Sequence, residues 1–248
     1  MGKVLIEVCV DSVASARAAE RGGAGRIELC SDLLEGGVTP SAGLIESVRE
    51  TIKIGLHVMI RPRGGDFCYG DGEFEVMRRD IINAKQQGAD GVVFGILDMD
   101  GRVEVDRTRR LIELSRPLSV TFHRAFDMSA DLFRALEDVC SAGADRILTS
   151  GGQQTSVLGC EMITRLISLA DGKIIIMPGS GINEHNAASL IQETGAREIH
   201  VGLRSSISSA MRYQNLHVSM GAARGGEYVR FGVLEESVRN LHRALANL

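Results

Sequence analysis

No long apolar run occurs anywhere in this 248-residue chain, so nothing in it reads as a membrane span. No linker or low-complexity stretch divides it either, which leaves one large α/β domain rather than two small ones. A basic stripe is also missing: 28 lysines and arginines are scattered among 32 acids, giving a net charge of −4. That balance excludes a general nucleic-acid or membrane-surface binder, while local arginines leave an anionic small molecule open as a partner. From Met1 the chain runs MGKVLIEVCV directly into strand-like sequence, with no basic leader or small-residue cleavage site, and Gly2 lacks the remainder of a myristoylation pattern. A cytoplasmic location is expected. The five cysteines are odd in number and irregularly spaced, which excludes a disulfide framework and leaves thiols or thiolates.

What is present is one phrase written twice, IEVCVD at residues 6–11 and IELCSD at residues 27–32. On neighbouring parallel strands, side-chain alternation puts Glu7 and Cys9 on one face and Glu28 and Cys30 on the same face next door. Two thiols and two carboxylates on buried strands are costly unless a metal, a substrate or a hydrogen-bond network satisfies them. The plainer alternative is an old duplication with cysteines as small core residues.

Apolar β-branched runs alternate with amphipathic stretches throughout. Strands are expected near residues 4–10, 26–30, 56–61, 91–97, 118–124, 146–150, 174–178 and 198–203. Helices are expected near 13–22, 41–51, 73–87, 104–115, 130–142, 157–171, 184–194 and 234–246. Strict alternation of eight strands and eight helices at this length indicates a TIM-type (β/α)₈ barrel. A second repeat agrees: Gly23-Ala24, Gly88-Ala89, Gly143-Ala144 and Gly195-Ala196 each offer a glycine to end every second helix, followed at once by a strand. A doubly wound sheet is the competing fold, and the lack of GxGxxG after the first strand counts against it. Residues 204–233 are too long for an ordinary connection and are expected to insert before the last helix, as a lid or an oligomer contact.

In a barrel strand one face packs on helices and the other points inward. Parity then puts Glu7 and Cys9 inside on strand one, Glu28 and Cys30 on strand two, and His57, Met59 and Arg61 on strand three. Thr121 and His123 follow on strand five, and Glu198 and His200 on strand eight. An interior this polar is either a structural network or a site. Cys9, Cys30, Arg61 and His123 fall at C-terminal strand ends, where barrels carry function.

The loops after those strands supply further candidates. RPRGGDF brings Arg61 and Arg63 as cationic forks, with Gly64, Gly65 and Asp66 for close approach to a ligand. HRAFD places His123, Arg124 and Asp127 together, with His123 able to exchange protons near neutral pH or to bind a metal. Gly179, Ser180 and Gly181 in PGSGI, like TSGG at residues 149–152, expose amides before a helix, as a phosphate cradle would. Cys140 and Cys160 read as core, and Cys68 as an exposed thiol.

EVCVDS, RIELCS with EGGVTPS, RPRGGDF, VTFHRAFD, RILTSGG and MPGSGI together resemble the copper homeostasis protein CutC family, from about residue 4 to about residue 230 and closest to its animal members. The resemblance implies a cytoplasmic (β/α)₈ barrel, usually a homo-oligomer, that handles copper. It also implies copper(I) at two cysteines whose motif positions fall on Cys9 and Cys30. Thiolates are soft donors suited to copper(I), whereas zinc would ask for four ligands, and the same closeness would permit a disulfide under oxidation. Two functions follow. One is a copper(I)-binding module with Glu7 and Glu28 setting the local charge. The other is an enzyme acting on an anionic small molecule, phosphorylated ones included, with Glu7, Glu28, His57, Arg61, His123, Arg124 and Asp127 as catalytic candidates and room for a divalent metal in that role.

Overall fold

Residues 4–218, 220 and 227–246 are described in a computed structural model. Eight strand–helix units follow one another: β1 (Leu5–Val10) and α1 (Val13–Gly22), β2 (Arg26–Leu29) and α2 (Ala42–Thr51), β3 (Gly55–Met59) and α3 (Asp71–Gln86), β4 (Gly91–Phe94) and α4 (Val105–Ser115). The second half continues with β5 (Ser119–Phe122) and α5 (Leu132–Ala142), β6 (Arg146–Thr149) and α6 (Cys160–Ala170), β7 (Ile175–Pro178) and α7 (Ala187–Thr194), then β8 (Glu198–Val201). A hairpin of β9 (Arg204–Ser208) and β10 (Val229–Val233) precedes α8 (Glu235–Leu245).

The first eight strands form one sheet in which β1 through β7 lie in sequence order and β8 pairs with β1. A parallel bridge from Gly179 to His200 brings β7 to β8 and nearly closes the cylinder, so the fold is the TIM-type (β/α)₈ barrel that alternation implied. The repeated glycines do what their positions suggest: Gly23, Gly88, Gly143 and Gly195 all adopt positive φ where α1, α3, α5 and α7 end.

Side-chain alternation splits each strand cleanly. Ile6, Val8, Ile27, Leu29, Leu56, Val58, Val120, Phe122, Ile199 and Val201 are buried among the helices, each contributing roughly 1.5–3 kcal/mol of apolar burial. That outer layer holds the strands in a register that leaves the opposite face to the polar residues. Strand β4 makes room for them: a Cβ on Gly91 would lie 2.5 Å from the His57 ring, and one on Gly95 would lie 2.7 Å from His123 Nδ1.

Within residues 204–233, β9 and β10 pair antiparallel and β10 packs on α1, where Val233 N–H donates to Ser15 Oγ at 3.1 Å, while residues 219 and 221–226 lie outside the described residues. None of the described residues of this segment lines the barrel mouth. Among the described residues no helix is long and apolar enough to cross a membrane.

Candidate functional site

Strand register sets the lower layer of the barrel. Glu7 on β1 stands beside Arg26 on β2 and His200 on β8. Arg26 donates from Nε to Glu7 Oε2 and from Nη2 to Glu198 Oε2 at 2.6 Å, and Arg146 on β6 grips the same Glu198 oxygen at 2.6 Å. Two carboxylates and two guanidiniums thus alternate across four strands. Burial opposes the charge on Glu7, but Arg26 and then His200 outweigh it and hold its carboxyl well below the usual range.

His200 joins this layer to the next. Its Nδ1 lies 2.8 Å from Glu7 Oε1 and its Nε2 lies 3.7 Å from Glu28 Oε2. Burial would lower its pKa, yet Glu28, Cys9 and Glu7 around it raise it well above the histidine range, so the ring is an imidazolium. Above it, Cys9 Sγ and Cys30 Sγ are 3.8 Å apart, and Cys30 Sγ is 3.5 Å from Glu28 Oε2. The hydrogen bond with Cys30 leads in stabilising the Cys9 thiolate, against burial and with help from His200 and Glu28, and brings its pKa down to about 5. The same bond, with burial, pushes Cys30 up, and burial pushes Glu28 well above the usual carboxylate range against the pull of His200, with Cys9 and Glu7 adding to it. The four groups therefore share their protons, Cys9 and His200 driven toward the charged form and Cys30 and Glu28 toward the neutral one. His57 Nδ1 is 3.8 Å from Glu7 Oε2, too far for a hydrogen bond, and burial lowers the ring to about 4.

A cavity of about 980 Å³ opens above this layer at the C-terminal end of the barrel. Cys9, Glu28, Met59, Leu148 and His200 form its strand-borne floor, and loops after β2, β3, β4 and β5 form its walls. Of the residues singled out in the sequence, Cys9, Glu28, Arg61, Gly65, Asp66, His123, Arg124 and Asp127 meet there. Glu7, Cys30 and His57 support the floor without lining it.

Several loop expectations need correction. His123 is no proton exchanger near neutral pH: its Nδ1 accepts from Ala125 N–H at 3.2 Å, and burial, then Arg61, lower its pKa to about 3. Asp127 ties down the loop after β6, accepting from Ser150 N–H and Gly152 N–H, both at 3.0 Å, and holds Arg124 in place by accepting from its Nε at 2.7 Å. Arg63 faces its own loop, paired with Glu73 at 2.5 Å and Asp66 at 3.0 Å, and Gly64 lies against the Glu35 side chain. The segment Gly179, Ser180 and Gly181 does not open a helix, since α7 starts only at Ala187, and Ser180 Oγ donates to Gln154 O at 2.8 Å. TSGG is likewise occupied, with Gly151 N–H on Thr149 Oγ1 at 2.9 Å and Gly152 N–H on Asp127.

Sequence reasoning did not place Arg26 and Arg146 in the site. Both were within reach of the same parity rule, because each begins a strand in phase with an inward residue, Glu28 on β2 and Leu148 on β6. His200 was read as inward but not as the bridge between layers, which depends on β8 pairing with β1.

Comparison with known proteins agrees with this geometry. The family model described as CutC family matches residues 4–205. A mouse protein named copper homeostasis protein cutC homolog is 52% identical over 219 residues, covering 88% of this chain and 80% of that protein. A family protein CutC of Chromobacterium violaceum is 45% identical over 245 residues, covering 99% of each. Among solved structures, one described as a copper homeostasis protein CutC from Streptococcus agalactiae superposes with a TM-score of 0.75 at 32% identity, covering 80% of this chain and 98% of that one. A thiamine phosphate pyrophosphorylase from Pyrococcus furiosus, at TM-score 0.60 and 19% identity over 98% of this chain and 96% of that one, shares the fold alone.

Proposed function

Because the chain belongs to the CutC family, we propose that it takes part in copper homeostasis by binding copper(I) as cargo between Cys9 and Cys30. The thiol pair carries this reading. With metal–sulfur bonds of about 2.3 Å, a sulfur separation of 3.8 Å lets one ion touch both. Thiolates are the donors that favour copper(I) over harder ions. The ligand atoms of Cys9, Glu28 and Cys30 all lie within 4.8 Å of one another, so an oxygen stands ready as a third contact. Cys9 is already a thiolate, and loading releases the proton that Cys30 keeps.

A tetrahedral divalent ion fits less well, since the cluster supplies two sulfurs and one carboxyl oxygen where four ligands are wanted. In the alternative grouping of Glu7, Glu28 and His200, Glu7 is already engaged by Arg26 and by His200 Nδ1. Anaerobic copper(I) titration against a competing chelator tests the reading. Tight binding that disappears in a Cys9→Ser, Cys30→Ser double variant is expected; equal binding by the double variant would sink it.

A second reading, an acid/base enzyme for an anionic small molecule, rests on Glu28, its carboxyl pushed up by burial, 3.7 Å from the His200 ring at the floor of a cavity far larger than an ion needs. It predicts that Glu28→Gln harms copper-stressed cells more than loss of both thiols. Five unpaired cysteines suit a reducing compartment, which supports a cytoplasmic location. Exposed Tyr213, Leu216 and Phe231 on the hairpin arm support self-association into a homo-oligomer, to be read by light scattering.

A further inference from the structure

Three arginines of the barrel are almost fully buried. Arg26 and Arg146 are neutralised by Glu7 and Glu198. Arg61, 5% exposed, has no carboxylate within ion-pair distance among the described residues. It donates instead to backbone oxygens, from Nη1 to Glu35 O at 2.7 Å and Gly37 O at 3.0 Å, and from Nη2 to Gly65 O at 2.8 Å. Carbonyl dipoles solvate a guanidinium but do not cancel its charge, and a buried cation without an anion costs several kcal/mol. Its Nε–H makes no hydrogen bond, although the Tyr69 hydroxyl, equally unpartnered, feels the guanidinium.

His123, 4% exposed, repeats the pattern. Since Nδ1 accepts from Ala125 N–H, the ring proton sits on Nε2, which is buried without a partner. One side chain touches both residues: the Phe67 ring is 4.9 Å from the His123 ring and 5.0 Å from Arg61 Cζ. All three line the mouth cavity, with Met59, Leu97 and Leu148 as apolar wall. Of the acidic side chains lining the cavity, Asp66 is paired with Arg63, Asp98 accepts from Arg102 N–H and Asp127 is held by the loop after β6, while among the described residues neither Glu28 nor Glu35 comes within ion-pair distance of Arg61 or His123.

We propose that this cavity is a binding site for a small organic carboxylate with an apolar body, its two oxygens taken by Arg61 Nε–H and His123 Nε2–H. A carboxylate supplies the missing negative charge together with two coplanar acceptors for two donors. Phosphate, with three terminal oxygens as a monoester or four as the free ion and close to two charges, would leave acceptors unmet and face an apolar wall. A volume of about 980 Å³ is that of a small-molecule site. Because both N–H groups are out of solvent, the half-buried Phe67 ring is the group that shifts when the ligand enters.

Calorimetric titration of reduced, metal-free protein with benzoate, benzamide and inorganic phosphate tests the site independently of any copper chemistry at the thiols. Benzoate is expected to bind saturably, with benzamide about tenfold weaker or worse because it brings no charge. His123→Phe, which keeps a buried ring, is expected to weaken benzoate about tenfold while the free protein stays folded. Arg61→Lys should weaken it too, but that side chain also clamps three loop carbonyls, so His123→Phe decides if the lysine variant does not fold. No saturable benzoate binding, equal binding of benzoate and benzamide, unchanged affinity in His123→Phe, or binding of phosphate alone would each overturn the proposal.

Discussion

The Sγ atoms of Cys9 and Cys30 lie 3.8 Å apart, yet the two thiols are held in opposite states, one lowered to about 5 and the other raised. Cys9 has the His200 ring beside it, while Cys30 Sγ lies 3.5 Å from Glu28 Oε2. A single thiolate should therefore grow in the near-ultraviolet with a midpoint near pH 5. In Cys30→Ala the midpoint should move up, since the hydrogen bond that leads in stabilising the Cys9 thiolate is lost, and in Cys9→Ala the transition near pH 5 should disappear. Equal titration of both cysteines in the ordinary thiol range would contradict the asymmetry.

Glu7, fully buried, is the anion on which both Arg26 and His200 depend. Glu7→Gln leaves Arg26 with Glu198 alone and removes the carboxylate from His200 Nδ1. Breaking a buried pair from one side costs about 3–5 kcal/mol, to be read as a lower urea midpoint. Glu75→Gln, which removes an exposed partner of Arg78 and Arg79 on α3, should leave that midpoint where it is.

The floor of the site was legible in the sequence because two rules of period two coincide there. Val8 and Ile27 had to face helices, so Cys9 and Glu28 had to face in, whatever the loops did. The loops followed no such rule. Asp127 reads as a mouth carboxylate until the fold brings Gly152 N–H to 3.0 Å, and Arg63 reads as a ligand fork until Glu73 on α3 arrives beside it. The hairpin is invisible for a similar reason, because Arg204–Ser208 finds its partner only at Val229–Val233. Arg26 shows the opposite failure. Its inward phase was readable, but a basic residue at the first position of a strand resembles an exposed strand end until Glu7 and Glu198 are seen on either side.

Between pH 4.5 and 6.5 acid should weaken the fold through the buried neutral histidines and the Cys9 thiolate, with Glu28, raised by burial, opposing them. His57 is lowered to about 4 and His123 to about 3, against 6.5 for a free ring. Below pH 6.5 the unfolded chain takes up protons that the folded rings refuse, so this stability is fully present above 6.5 and is lost as pH falls toward the folded values. Each ring contributes at most ~1.4 kcal/mol per pH unit in that interval. His200, raised, has the opposite sign, its contribution being complete below 6.5 and lost at higher pH. Glu7, lowered, begins to matter only below about 4.5. Urea unfolding between pH 4.5 and 6.5 should thus show stability rising with pH, with a shallower slope in His123→Phe. A slope unchanged by that substitution would mean that His123 is protonated in the folded protein.

Gly91 on β4 and His57 on β3 are register partners, and the absent side chain of one is the space occupied by the other. A Cβ at residue 91 would stand 2.5 Å from both Cδ2 and Nε2 of His57, while the ring's Nδ1 already lies 3.8 Å from Glu7 Oε2. Overpacking of this kind costs about 1–3 kcal/mol, so Gly91→Ala should lower the urea midpoint, although alanine suits a strand better than glycine. His57→Ala alone should also destabilise, by leaving a void. Combined, the two changes relieve each other: the alanine methyl enters space the imidazole has vacated, and the double variant should be more stable than the sum of the single losses by about 1 kcal/mol or more. Strict additivity in that cycle would show that the ring and the strand do not share the space, and that β4 carries glycine at this position for some other reason.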